Sequence, residues 1–153
     1  MNSVLLKNDV LEARLNLQGA ELRSLRRTDL GRDYLWTGDP AHWERTSPLL
    51  FPIVGRLQND KYTWQGRQYS LPQHGFARDL EFDLVHEDGT SASFLLGHAG
   101  AFLERYPQEF QLAVTYTLDG SCLAMRVDVF NPSNTDDLLF SLGAHPAFRW
   151  PLE

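Results

Sequence analysis

From Phe110 to Leu118 every second residue is bulky and apolar: Phe110, Leu112, Val114, Tyr116 and Leu118 alternate with Gln111, Ala113, Thr115 and Thr117. A period of two puts one set on each face of an extended strand, so one face is built for burial. Asp119-Gly120, a favoured turn dipeptide, follows, and Leu123, Met125, Val127 and Val129 then alternate with Ala124, Arg126 and Asp128. The pattern predicts an antiparallel hairpin, whose apolar face must be buried against another layer of structure.

The rest of the chain repeats that theme in short segments. Strands are predicted at Val10–Leu17, Glu21–Arg26, Tyr34–Thr37, Lys61–Trp64, Gln68–Leu71, Leu80–Val85, Ala92–Leu96 and Leu138–Leu142, with Gln65-Gly66 as a turn. Short strands separated by Gly, Pro, Asn and Asp imply an all-β fold, an antiparallel β-sandwich spanning residues 1–153 as one domain. An aromatic content of 12% suits such a core. Only Gly100–Tyr106 reads as helical, and Pro107 ends it. Leu138–Leu142 reads as a buried strand close to the last residue, which leaves a sheet edge open to self-association.

Charge and motif content exclude several functions. Twenty Asp and Glu against 14 Lys and Arg give a net charge of −6, which argues against nucleic acid and anionic membranes as partners. No run approaches the ~20 apolar residues of a membrane span. The N-terminus has no basic start, apolar stretch or small-residue cleavage site, so no signal peptide is read and a cytoplasmic chain is expected. The single cysteine, Cys122, rules out an intrachain disulfide and multi-cysteine zinc sites, and its mid-strand position reads as a packed thiol. Neither a glycine-rich phosphate loop nor Gly-x-Ser-x-Gly occurs, and the histidine spacing forms no local metal motif, so no metal or cofactor is expected.

His42, His86 and His98 lie in polar contexts and read as surface residues. His74 and His145 differ, because each is set among backbone-restricting residues: Leu71-Pro72-Gln73-His74-Gly75-Phe76-Ala77-Arg78-Asp79, and Leu142-Gly143-Ala144-His145-Pro146-Ala147-Phe148. Rigid backbone is what positioning needs, since a displacement of ~1 Å can cost a catalytic group about a hundredfold in rate. The competing reading is a histidine that braces a turn. A third segment, Ser47 to Asp60, runs from apolar residues through Gly55 to Arg56 and Asn59, donors suited to hydroxyls, carboxylates or phosphates. Its alternative is a strand followed by a solvated turn.

Together these segments resemble the aldose 1-epimerase (galactose mutarotase-like) family, most closely its LacX-type and hexose-phosphate mutarotase-like branch. The matching pieces are Leu50-Phe51-Pro52-Ile53-Val54-Gly55-Arg56 with Asn59, the His74 and His145 segments in the same order, and the early Leu17-Gln18-Gly19-Ala20-Glu21-Leu22. The resemblance implies a sugar-binding β-sandwich that interconverts α and β anomers without a cofactor. A carboxylate takes the anomeric hydroxyl proton while an imidazolium protonates the ring oxygen, and each transfer is typically worth about 10²- to 10⁴-fold. It further implies His145 as general acid and His74 as the second catalytic histidine. Arg56, Asn59 and Arg78 are implied as substrate contacts, Arg78 for a hydroxyl or a phosphate.

The resemblance also implies a general-base glutamate, and an acidic residue for the sugar hydroxyls, in a C-terminal half that has no counterpart here; Glu153 stands in no matching context. The sandwich is therefore expected to be incomplete at its C-terminus. Three readings stay open: a fragment of a longer mutarotase-like chain, a chain completed by association, or a relative that binds sugars without turning them over. A non-catalytic carbohydrate-binding module and an interaction domain with bracing histidines are the alternatives to an enzyme. The substrate is a hexose or, because Arg56, Arg78, Lys61 and Arg67 are cationic, a hexose phosphate.

Overall fold

The computed structural model describes residues 3–97 and 104–152. In chain order the strands are β1 (Ser3–Lys7), β2 (Leu11–Asn16), β3 (Leu22–Arg27), β4 (Arg32–Asp33), β5 (Leu49–Leu50), β6 (Lys61–Trp64), β7 (Arg67–Ser70), β8 (Asp83–Glu87), β9 (Ser91–Gly97), β10 (Gln111–Asp119), β11 (Cys122–Phe130) and β12 (Gly143–Ala144). β1 to β4 form one antiparallel sheet in chain order, and a second has the order β11-β10-β9-β8. The pairs β5 with β12 and β6 with β7 are likewise antiparallel. The fold is nearly all-β, as the alternation predicts.

The core lies between the two larger sheets. Val4, Leu6, Leu11, Ala13 and Leu15 from the first join Ala92, Phe94, Leu112, Val114 and Tyr116 from the second in one buried cluster. Burying each large side chain is worth about 1.5–3 kcal/mol. The buried Tyr116 hydroxyl donates to the Ala20 carbonyl at 3.0 Å, a polar tie to the Gly19-Ala20-Glu21 segment. Among the described residues no helix is long and apolar enough to cross a membrane, and no group of three or more metal-ligating side chains occurs.

Several boundaries differ from the sequence expectation. Leu118 faces Leu123, so Asp119 pairs with Cys122 and the turn falls on Gly120-Ser121, one residue later than the dipeptide indicates. Keeping the apolar residues of both strands on one face sets this register. Cys122 therefore opens β11 beside the turn and is exposed, not packed. Gln65-Gly66 does form the β6–β7 turn, both residues having positive φ (46° and 76°). Leu138–Leu142 is not a strand: a run that is apolar except for Ser141 carries no alternation, and the sheet pairing starts only at Gly143. Tyr34–Thr37 contributes only a single bridge, Leu35 to Phe148, after β4 has ended at Asp33. A short 3-10 turn at Ala77–Asp79 delays the Leu80–Val85 strand until Asp83. Residues 100–103 of the expected helix lie outside the described residues, and Glu104 and Arg105 form a turn. β1 is a strand the sequence reading missed, although its buried Val4 and Leu6 alternate with exposed Leu5 and Lys7.

Candidate active site

Both histidines are held by the backbone between Thr46 and Gly55. β12 pairs with β5 as Gly143 with Leu50 and Ala144 with Leu49. The pairing is extended by hydrogen bonds from His145 N to Pro48 O (3.1 Å), Ala147 N to Thr46 O (2.8 Å) and Ser141 N to Pro52 O (2.8 Å). On its other edge Trp36 N donates to Ala147 O at 2.9 Å, so this stretch is held from both sides. Ala144, Pro146 and Phe148 line an apolar cavity of about 400 Å³ with Leu22, Tyr116 and Met125. Alternation then sends His145 to the opposite face. Its imidazole packs at 5.4 Å, centroid to centroid, against Trp43.

His74 is held by a reciprocal pair of bonds. Its N–H donates to Gly55 O at 2.8 Å, and Gly55 N–H donates to His74 Nδ1 at 3.0 Å. Nδ1 is thus an acceptor, which places the proton of the neutral ring on Nε2. Nε2 lies 3.3 Å from the Gln73 side-chain amide. Burial first, then the charges of Arg78 and His145, push the His74 pKa below its ordinary value, so Arg78 and His145 each lie within electrostatic reach of His74. His74 and Gly75 both have positive φ (66° and 71°). Glycine is required at 75, because a Cβ there would sit 2.2 Å from the Phe51 carbonyl oxygen. That oxygen also accepts from Phe76 N (3.0 Å) and Ala77 N (3.2 Å).

Arg78 Nη2 donates to Gln73 O at 2.7 Å, bracing the turn that carries His74. Arg45 in turn donates to Arg78 O at 3.2 Å and pairs with Asp79. Arg78 Nε is buried without a hydrogen-bond partner, and burial together with the charge of Arg45 lowers the Arg78 pKa. Arg56 is placed differently. Its guanidinium makes a two-point contact with Asp60 (2.7 and 2.8 Å) and remains 65% exposed. Asn59 is also exposed, in a left-handed backbone (φ 54°). Arg78 thus braces the turn of His74, and His145 lies within electrostatic reach of that ring, while Arg56 is engaged by Asp60.

Two residues of this region escaped the sequence reading. Trp43 is half-buried in a loop rich in Gly, Asp and Pro, where an aromatic is a usable signal. Glu21 is a buried carboxylate whose Oε1 accepts from Thr46 N (2.6 Å) and Ser47 N (3.0 Å). Those partners are 25 and 26 positions away, too far for any local pattern to reveal.

A two-sheet antiparallel fold of this kind is shared with solved galactose mutarotase-like proteins. The family model for aldose 1-epimerase matches residues 2–153, and the chain belongs to that family. It is 36% identical over 152 residues to the chromosomal protein LacX of Lactococcus lactis subsp. lactis, an alignment covering 96% of this chain and 50% of LacX. A galactose mutarotase-like protein from Lactobacillus casei superposes with a TM-score of 0.91 at 36% identity, covering 95% of this chain and 49% of that one. A galactose mutarotase related enzyme from Lactobacillus acidophilus gives 0.93 at 35% identity, covering 97% and 49%. The chain spans about half the length of these relatives.

Proposed function

We propose that this chain carries the histidine-bearing part of an aldose 1-epimerase site, acting on a free hexose or hexose phosphate. The observation that carries the reading is the seating of His74 on Gly55, on a turn braced by Arg78 and with His145 within electrostatic reach. With Nδ1 occupied by the Gly55 amide, His74 offers Nε2–H to a sugar oxygen and resists protonation, which suits a fixed donor. His145 is the general acid that protonates the ring oxygen as the anomeric C–O bond to it breaks. A carboxylate takes the anomeric hydroxyl proton, the C1–C2 bond rotates, and ring closure reverses the transfers. The family resemblance assigns that base to the part of the relatives' length that this chain does not span. Arg78 binds a hydroxyl or phosphate, and Arg56 and Asn59 reach the sugar if Arg56 exchanges Asp60 for the substrate.

NMR anomer exchange with glucose, galactose and their 6-phosphates tests this reading. Any acceleration over buffer that the chain shows is expected to vanish in His145→Ala. A folded chain that accelerates nothing would exclude catalysis by residues 1–153 alone. The second reading, a non-catalytic carbohydrate-binding module, is favoured by the half-length match to the relatives. It predicts calorimetric binding of the same sugars without exchange, and silence with every sugar counts against both readings.

A further inference from the structure

Glu21 lies in neither histidine motif, yet its carboxylate holds the backbone that carries one of them. Oε1 accepts from the consecutive amides of Thr46 and Ser47, and Arg23 Nη1 approaches Oε2 at 3.3 Å. Arg23 also donates to Glu44 O at 2.9 Å, and the Thr46 hydroxyl donates to Leu22 O at 2.6 Å. Every residue from Glu44 to Ser47 is thus pinned, directly or through a neighbour, by the Glu21-Leu22-Arg23 segment. The same short stretch accepts from the His145 segment, at Thr46 O and Pro48 O, and its upstream end is Trp43, whose ring packs on the His145 imidazole. A buried carboxylate facing two aligned amides makes strong charge-assisted bonds, and its removal leaves both amides unsatisfied.

We infer that Glu21 is the positioning residue for His145: its carboxylate sets the Thr46-Ser47 backbone, which sets the depth and ring orientation of His145 against Trp43. Glu21 touches no reacting atom. The inference rests on His145 being a functional group of the site, but its geometry can be read without any activity. His74 supplies an internal control, since it is seated on Gly55 and not on the Thr46-Ser47 amides.

The test compares Glu21→Gln, Glu21→Asp and Glu21→Ala in the full chain by ¹H–¹⁵N spectra of the imidazoles and by nuclear Overhauser contacts between Trp43 and His145. Glu21→Gln keeps an acceptor oxygen at the same reach, and parent-like His145 signals are expected. Glu21→Asp is one methylene short and Glu21→Ala removes the acceptor. Both are expected to weaken the Trp43–His145 contact at least twofold and shift the His145 resonances, with His74 unmoved. If His145 and His74 shift together, if neither shifts, or if Glu21→Gln perturbs His145 as much as Glu21→Ala, the assignment is overturned. It is also overturned if neither Glu21→Asp nor Glu21→Ala folds, because the carboxylate then serves the whole fold. Failure of the epimerase reading alone appears differently, as intact Glu21-dependent signals without anomer exchange.

Discussion

Replacing Gly75 with Ala asks whether the His74 loop is seated on the Phe51 carbonyl. The new Cβ would lie 2.2 Å from Phe51 O, 2.5 Å from Phe51 C and 2.7 Å from Pro52 Cδ, so rigid backbone, not a pliable side-chain tip, has to move. A side chain at a φ of 71° costs about 1–2 kcal/mol. Backing the loop away breaks the bonds from Phe76 N and Ala77 N to Phe51 O, worth about 1 kcal/mol each. The sum is a loss of about 3–4 kcal/mol. Against the 5–15 kcal/mol typical of a domain, roughly, the chain still folds. Urea unfolding with an unchanged m-value should show that loss, and the ¹⁵N shift of His74 Nδ1 should lose its acceptor character. A loss below about 1 kcal/mol with His74 unchanged would refute the seating argument.

His74 also gives stability a pH dependence of defined sign. Its folded pKa is lowered, so the unfolded chain binds more protons just below the ordinary histidine value of ~6.5. Stability should fall as the pH drops below that value and level off beneath the folded pKa; urea midpoints of the parent and His74→Asn should differ in this slope, and parallel slopes would contradict the placement. Phe51 is fully buried against Phe110 and Phe140 at centroid distances of 5.1 and 5.6 Å, so Phe51→Ala should cost about 3–5 kcal/mol in the same assay. Exposed Cys122 should titrate with a disulfide reagent without denaturant, one thiol per chain, whereas a thiol that reacts only on unfolding would restore the packed reading. Among the described residues β11 pairs only with β10 and its half-buried face adjoins the apolar cavity, so sedimentation should rise with concentration and Met125→Lys should abolish the rise; concentration-independent sedimentation would remove self-association.

What the sequence made legible follows from the range of the forces involved. The β10–β11 pair could be read because alternation over nine residues per strand is a local consequence of burying one face. His74 and His145 stood out because Gly and Pro beside a polar ring constrain backbone within a few residues. Leu138–Leu142 misled because apolar character alone does not say whether a segment pairs, and in the structure Leu139, Phe140 and Leu142 are substantially exposed. The Arg56–Asp60 contact was within reach at four residues' separation but was not anticipated. Glu21 and Trp43 are joined to the site only through tertiary hydrogen bonds and packing, which one chain read linearly does not display.

The segment from Gly143 to Phe148, which continues β12, has two faces with different business. One presents His145 to Trp43, and the other lines the apolar cavity with Ala144, Pro146 and Phe148. On the proposed function, a sugar held at His145 and a body seated in the cavity would press on the same few peptide units from opposite sides. Any free energy by which one steadies that segment is returned to the other in equal measure, because linkage between two binding equilibria is reciprocal. On that reading, the sugar affinity of this chain would be a property of the segment's underside as much as of the histidine itself.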